Sequence, residues 1–413
     1  MLSSLSDPVI RRRTVVLVAS LLFILIGTGS IYFIVVALKL ITAEFGWPRA
    51  VPSIAYALQY AGAGVGGIFM GWCLDRRGMG IPATVGAAMI GLGGILTSYA
   101  SSPLELYIIY GGMLGFFGRS TLFAPLTANI TRWFEHNRSF AVGVVGSGQG
   151  LAGMIWPQAF HHLIAAVGWR QAAFYYGLFA LATMLPLALI LRQTPPAPTP
   201  RRPNALTGPE PRASGYAPIS PRALQAALST AAIGCCVAMS LPLAHIVSHV
   251  SDLGYDPARG AETLSLMLAC SALASFFGVG FLGGRFGGLR AIFVFSSGQA
   301  LLLATLAYVE SLPGLYVAAA LFGLGYGGIL PCYPVIVREL LPAASAGRRT
   351  GLVLLCAGGG MALGSWLGGA VFDATGTYRT AFLIGVGFNL ANVAIITALI
   401  LRVGPRAAAP APG

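Results

Sequence analysis

Long apolar runs alternate with short polar breaks along nearly the whole chain, and most breaks carry arginine. A helix needs about 20 apolar residues to cross the hydrocarbon of a bilayer. Twelve runs meet that length, near residues 14–39, 51–72, 82–101, 104–130, 139–164, 169–191, 223–249, 260–282, 288–308, 313–337, 349–372 and 378–401. They are continuous rather than alternating with period two, which predicts spanning helices and not the strands of a barrel. Between the sixth and seventh runs lies QTPPAPTPRRPNALTGPEPRASGYAPISPR, a stretch rich in proline and polar residues that cannot bury a core. The expected organisation is a six-helix N-terminal half (1–192), a cytoplasmic linker (193–222) and a six-helix C-terminal half with a short tail (223–413).

Composition agrees with that pattern. Of 413 residues, 56% are hydrophobic and 9% charged, whereas a soluble domain carries about 25% charge. An all-α integral membrane protein is expected. A net charge of +13 invites a nucleic-acid reading, but the arginines lie in short pieces between apolar runs and instead set topology. With the N-terminus in the cytoplasm, inner segments hold nineteen of the 25 basic residues. Outer segments hold Lys39, Arg49, Arg170, Arg259 and Arg379, and Arg119 lies inside the fourth run. Both termini are then cytoplasmic, in a multi-pass protein of a cell membrane, a bacterial inner membrane by expectation. Arg11-Arg12-Arg13 before the first run mimics a signal peptide, but the run is too long for one and reads as a retained span.

The six cysteines fall in or beside apolar runs without CxxC spacing, so they read as small packing residues rather than metal ligands or disulfides. No metal motif, nucleotide loop or nucleophile signature is present, so neither a cofactor nor enzymatic activity is expected.

Comparing the chain with itself at an offset near 208 gives four matches in order. Phe45–Trp47 answers Leu253–Tyr255, and GWCLDRRG (Gly71–Gly78) answers GFLGGRFG (Gly280–Gly287). The FGR ending at Arg119, with Pro125, answers the LGY ending at Tyr326, with Pro331. Trp169–Phe174 answers Tyr378–Phe382. Two parallel six-helix repeats around a central linker is the architecture of the major facilitator fold. GWCLDRRGMG resembles the loop 2–3 signature of that superfamily, with Gly80 replacing its closing basic residue. Gly71, Asp75, Arg76, Gly78 and, in the second copy, Arg285 mark this candidate conformational latch. Gly78 permits a tight turn, while Asp75 either caps the next helix or pairs with an arginine across the half interface. An ordinary polar loop is the alternative.

ALKLITAEFGWPRAVPSIAYAL, TRWFEHNRSFAVGVVGSGQGLAG, VGWRQAAFYYG and LPLAHIVSHVSDLGY resemble the monocarboxylate porter family, including its oxalate/formate antiporter branch. The resemblance runs from Gly27 to Arg402. It implies a secondary transporter of small carboxylates, coupled to protons or working by exchange. It also implies a cavity lined by spans 1, 4, 7 and 10, with spans 2, 5, 8 and 11 beside them. One departure is that the stretch LSLMLACSALASFFGVGFLGG of span 8, where familiar members carry a cation, has no charge here.

Counting at 1.5 Å per residue puts Arg119 near the middle of span 4, Gln59 in span 2, Gln149 in span 5 and Tyr326 in span 10. By the repeat, Arg119 and Tyr326 are pseudo-equivalent and face each other across the cavity. A central arginine costs about 2.5–3.5 kcal/mol on insertion scales and needs a partner. All twelve acidic residues lie in loops, linker or span ends, so the missing partner is expected to be the substrate. The planar guanidinium suits a carboxylate through two parallel hydrogen bonds. The bland alternative is that Arg119 snorkels or bonds helix carbonyls. Tyr32, Gln59, Gln149, Tyr326, Tyr333 and Trp366 are candidates for shaping the pocket. Lys39 at the outer end of span 1 either attracts anions or snorkels. His245 and His249, four apart in span 7, are proton carriers or packed residues. Ala61–Gly67 and Ala357–Gly364 are glycine-rich stretches that let helices approach.

The expected function is secondary transport of a small organic carboxylate, with or without a proton, by a monomer in the lipid bilayer. The rivals are an exporter of drugs or other metabolites on the same scaffold and a membrane sensor that binds without transporting. The first would take bulky cations, which a central arginine repels. The second would need an appended signalling domain.

Overall fold

Glycine, proline and packing decide where the apolar runs bend. The computed structural model describes residues 8–134, 138–195, 219–275, 287–341 and 346–403, and all regular structure among them is helical. The first run comprises α1 (Pro8–Gly27) and α2 (Gly29–Phe45), with a break at Thr28. At the break the Leu25 carbonyl accepts from Trp156 Nε1 (2.8 Å) and the Ile26 carbonyl from the Tyr176 hydroxyl (2.9 Å). A Cβ on Gly29 would strike the Trp156 ring at 2.8 Å, so the bend and its donors fit together only through glycine.

α3 (Ala50–Arg77) and α4 (Gly80–Tyr99) are joined at Gly78, whose φ of 73° favours glycine. The fourth run departs from the continuous α-helix expected over 104–130. It is α5 (Pro103–Tyr107), a π-helical stretch Ile108–Gly118, a 3-10 turn Arg119–Thr121 and α6 (Ala124–Trp133). The local cause is backbone-to-backbone packing on α3. A Cβ on Gly62 would meet the Gly111 carbonyl, and one on Gly66 the Phe116 carbonyl. A Cβ on Gly115 would lie 2.9 Å from the Gln59 carbonyl oxygen.

α7 (Arg138–Leu191) holds two runs in one helical element, with Gly168 non-helical at φ 80°. Sixteen residues of unbroken helix would separate Phe160 and Tyr176 by about 24 Å, yet their rings lie 5.1 Å apart. The chain therefore folds back at Gly168. The C-terminal elements are α8 (Pro221–Asp252), α9 (Pro257–Leu273), α10 (Gly288–Leu306), α11 (Leu312–Gly327), α12 (Ile329–Leu340), α13 (Ala346–Thr375) and α14 (Tyr378–Val403). The tenth run breaks at Gly328, between α11 and α12, where the Phe295 ring occupies the space a Cβ would need.

N-terminal elements meet C-terminal ones where α3 packs on α13, α7 on α9 and α2 on α8. Large apolar side chains such as Ile68 (70%), Leu301 (69%) and Leu401 (78%) are exposed, as on a surface facing lipid rather than water. Among the described residues, eight helical segments are long and apolar enough to cross a membrane, against twelve runs in the sequence. α7 counts once although it holds two runs, the second run (α3) is too diluted by glycine and polar side chains such as Gln59, the fourth is divided by its π and 3-10 turns, and the eighth extends beyond the described residues. The chain is a multi-pass integral membrane protein with an all-α fold.

Candidate functional site

Arg119 stands where the π-helical stretch gives way to the 3-10 turn. Its guanidinium carbon lies 4.6 Å from the centre of the Tyr60 ring, a cation–π geometry. Its Nη1 is buried without a hydrogen-bond partner. The ion pairs among the described residues use Lys39, Arg49, Arg132, Arg170 and Arg259, and none uses Arg119. A permanent cation with an unsatisfied donor is thus held on an aromatic face.

Phenols gather around it. Tyr32 on α2 interacts electrostatically with Tyr60, Tyr326 and Arg119. Tyr326, on α11, also feels Tyr60, and its buried hydroxyl has no hydrogen-bond partner. Ser271 lies beside it and donates its own hydroxyl to the Leu268 carbonyl at 3.0 Å. Tyr56 extends the group, its ring 5.2 Å from that of Tyr60. The cluster draws Arg119, Tyr32 and Tyr60 from N-terminal elements and Tyr326 from a C-terminal one. Chemically it offers one charged donor group and several neutral hydroxyls, a set that can hold a carboxylate and a neighbouring polar atom.

Tyr60 was not among the residues the sequence singled out. It neighbours Gln59, and depth alone does not distinguish them. Helix rotation does: Gln59 has no exposed surface and donates from Nε2 to Ser30 Oγ at 2.8 Å, while Tyr60 faces Arg119. A tyrosine at the depth of Arg119 and one turn from Tyr56 is the signal that could have found it.

The other expected site residues lie elsewhere. The Tyr333 hydroxyl is 3.4 Å from Cys235 Sγ, inside the packing of α8 and α12. Gln149 is half-buried on α7, beside Gly150, whose Cβ would meet Ala272 of α9 at 2.5 Å. Trp366 on α13 is 41% exposed. His245 is fully buried, with Nε2 2.8 Å from the Ser365 carbonyl and its ring stacked on Tyr378 at 5.0 Å. A carbonyl accepts, so this nitrogen carries the proton. His249 packs edge-on against Phe382 at 5.3 Å. Lys39 pairs with Asp252 at 2.8 Å.

In the last turn of α3, Asp75 pairs with Arg132 at 2.7 Å. That partner ends α6, so the pair stays within the N-terminal elements instead of crossing to the C-terminal ones. Asp75 does not cap α4, which begins after Met79 without a side-chain cap. The close packing of α3 on the fourth run brings Arg132 within reach of Asp75. Arg76 lies over the Trp72 ring at 4.6 Å, a Cβ on Gly71 would meet open space, and Arg285 lies outside the described residues.

The sequence matches the family described as Major Facilitator Superfamily over residues 18–313 and over 226–413. It is similar to Monocarboxylate transporter 11 of Homo sapiens, 30% identical over 350 residues that cover 81% of this chain and 70% of that protein. It is also similar to Monocarboxylate transporter 13 of Bos taurus, 27% identical over 386 residues, 92% of this chain and 86% of that one. Its fold resembles that of a bacterial homolog of the human lysosomal transporter Spinster, solved inward-facing and occupied. The TM-score is 0.76 at 16% identity, over 96% of this chain and 99% of that one. The peptide transporter POT in complex with sulfate gives a TM-score of 0.71 at 14% identity, over 94% and 95% of the two chains. With a family match over most of its length and a transporter fold, the chain belongs to the Major Facilitator Superfamily, and its work is secondary-active transport across a membrane rather than enzymatic chemistry.

Proposed function

We propose that this protein carries a small organic anion, a monocarboxylate or small dicarboxylate, by alternating access, with Arg119 as the group that neutralises it. The observation that carries this reading is the buried Nη1 of Arg119, which has no hydrogen-bond partner among the described residues. In an apolar segment an unsatisfied cation is costly, and a carboxylate substrate removes the cost each time it binds. Tyr32 and Tyr326 supply hydroxyls for the rest of the ligand, and Tyr60 braces the guanidinium. The names of the curated relatives support a carboxylate. Proton coupling and anion exchange both fit a site with one permanent cation.

The two six-helix halves, residues 1–192 and 223–413 with the 193–222 linker between them, belong to the same proposal, as do the twelve spans and the cytoplasmic termini. Support comes from the two breaks in the fourth and tenth runs. Arg119 sits at one and Tyr326 just before the other, each followed by a proline, Pro125 or Pro331. Interrupted helices at matching places in two repeats are where transporters of this kind bind substrate.

The test is counterflow in liposomes with lactate, pyruvate and oxalate at two pH values. Uptake of at least one carboxylate by the parent protein and its loss in Arg119→Ala, with normal insertion, is the expected result. Near-normal transport by Arg119→Ala would overturn the assignment.

A further inference from the structure

At the end of the molecule where α2 gives way to α3, N-terminal and C-terminal elements are joined by charge. Asp252, closing α8, accepts from Lys39 Nζ at 2.8 Å and from Arg49, whose Nη2 lies 2.9 Å from Oδ1 and whose Nη1 bonds the other carboxylate oxygen. Arg49 also donates to the Tyr378 hydroxyl at 3.0 Å and covers the Phe372 ring at 3.7 Å. The groups facing Asp252 are therefore Lys39, Arg49, Tyr378 and His249.

A second aspartate does something different. Asp373, near the end of α13, accepts from the backbone N–H of Arg49 at 2.9 Å and of Ala50 at 2.8 Å. The start of α3 has no side-chain cap of its own, and the first N–H groups of a helix are unpaired and carry partial positive charge. A carboxylate from the C-terminal elements thus caps a helix of the N-terminal elements. Close approach is secured at Gly369, where a Cβ would lie 2.9 Å from the Arg49 carbonyl oxygen and 3.0 Å from Ala50 Cα. At the opposite end, the ion pair between α3 and α6 is Asp75–Arg132, internal to the N-terminal elements. The pairs Lys39–Asp252 and Arg49–Asp252 thus bridge the two sets of elements at the α2–α3 end.

We propose that Asp252 and Asp373 form one jaw of an outer latch that closes on Lys39, Arg49 and the first turn of α3, and that this latch breaks and re-forms once in each transport cycle. The proposal rests on the two-half reading above. The charges are segregated, with cations and helix N–H groups on the N-terminal side and carboxylates on the C-terminal side. Lys39, Asp252 and Arg49 are partly solvated, with side-chain exposures of 37%, 25% and 15%. Water can replace each contact as the jaws part, so the latch holds without being permanent. While it is closed, the charge of Lys39 is committed to Asp252 and is not presented to an arriving anion.

The test is a distance measurement that needs no substrate. Nitroxide labels go on Ala43→Cys and Ala374→Cys, two exposed positions beside the latch on opposite sides, in full-length protein freed of its six native cysteines. The parent is expected to show a dominant short-distance population. Asp252→Asn with Asp373→Asn is expected to shift most of it to longer distances. Arg49→Asp alone should do likewise, and adding Asp252→Arg should restore the short population. An unchanged distribution in the double asparagine variant, or no restoration by the exchanged pair, overturns the latch. Failure of carboxylate counterflow would count against Arg119 as the anion site and leave these distances unaffected.

Discussion

The guanidinium of Arg119 rests 4.6 Å above the Tyr60 ring, so the cation in the middle of this membrane segment is braced by an aromatic face and not by a carboxylate. That contact fixes the direction of its fork while leaving Nη1 free. Tyr60→Phe keeps the ring and should leave transport near the parent level. Tyr60→Leu loses a contact worth about 0.5–2 kcal/mol. Apparent affinity for a substrate identified by counterflow should weaken roughly two- to thirtyfold, read as a rise in the half-saturating concentration with maximal rate less affected.

The glycines of α3 divide into those that touch backbone and those that do not. A Cβ on Gly66 would collide with the Phe116 carbonyl, whereas one on Gly67 meets nothing within 4 Å. Gly66→Ala should cost about 1–3 kcal/mol through overpacking and lower the melting temperature in detergent. Gly67→Ala should be neutral or slightly stabilising, since alanine favours a helix over glycine by roughly 1 kcal/mol. Equal melting temperatures for the two variants would contradict the backbone contact.

The bend at Thr28 depends on two side chains that reach in from α7. Trp156→Phe leaves the Leu25 carbonyl without its indole donor, and Tyr176→Phe leaves the Ile26 carbonyl without its hydroxyl. Each should destabilise the protein by about 1–3 kcal/mol, measured as a lowered thermal midpoint. Because Tyr32 follows the bend by one turn, both variants should also weaken substrate affinity.

Asp252 supplies a pH dependence with a definite sign. Asp252 closes α8 beyond the apolar run 223–249, and its side chain is partly solvated. Burial works to raise the Asp252 pKa, but the hydrogen bonds and charges of Arg49 and Lys39 outweigh it and hold the carboxyl below its usual range. A carboxyl depressed in the folded state contributes fully above its unfolded pKa, roughly 3.9. The contribution is lost as pH falls through the folded value. Thermal midpoints of the purified protein should therefore carry the Asp252 contribution unchanged from pH 7 to about 5 and lose it below about 4. Asp252→Asn should melt lower at neutral pH and fall less on acidification.

Much of this was legible along the chain. Apolar run length identified helices, and the acid census put no carboxylate at the depth of Arg119, because each depends only on composition against position. The repeat paired Arg119 with Tyr326, and Tyr32 relates both residues in the folded protein. What did not show was rotation about a helix axis. Gln59 and Tyr60 are adjacent in sequence and equal in depth, yet one bonds Ser30 and the other meets Arg119.

By itself, the sequence determined that the chain lives in a membrane, where most of its helices run and that Arg119 falls within an apolar run. Those follow from transfer free energies summed along the chain. Only the tertiary structure decided that the fourth run opens into a π-helix against α3, that Asp75 binds Arg132, and that Lys39 and Arg49 converge on Asp252. Each of these depends on which backbones touch. Contact of that kind is set by the absence of a Cβ at a few glycines and by residues some 50 to 210 positions apart, which no local pattern records.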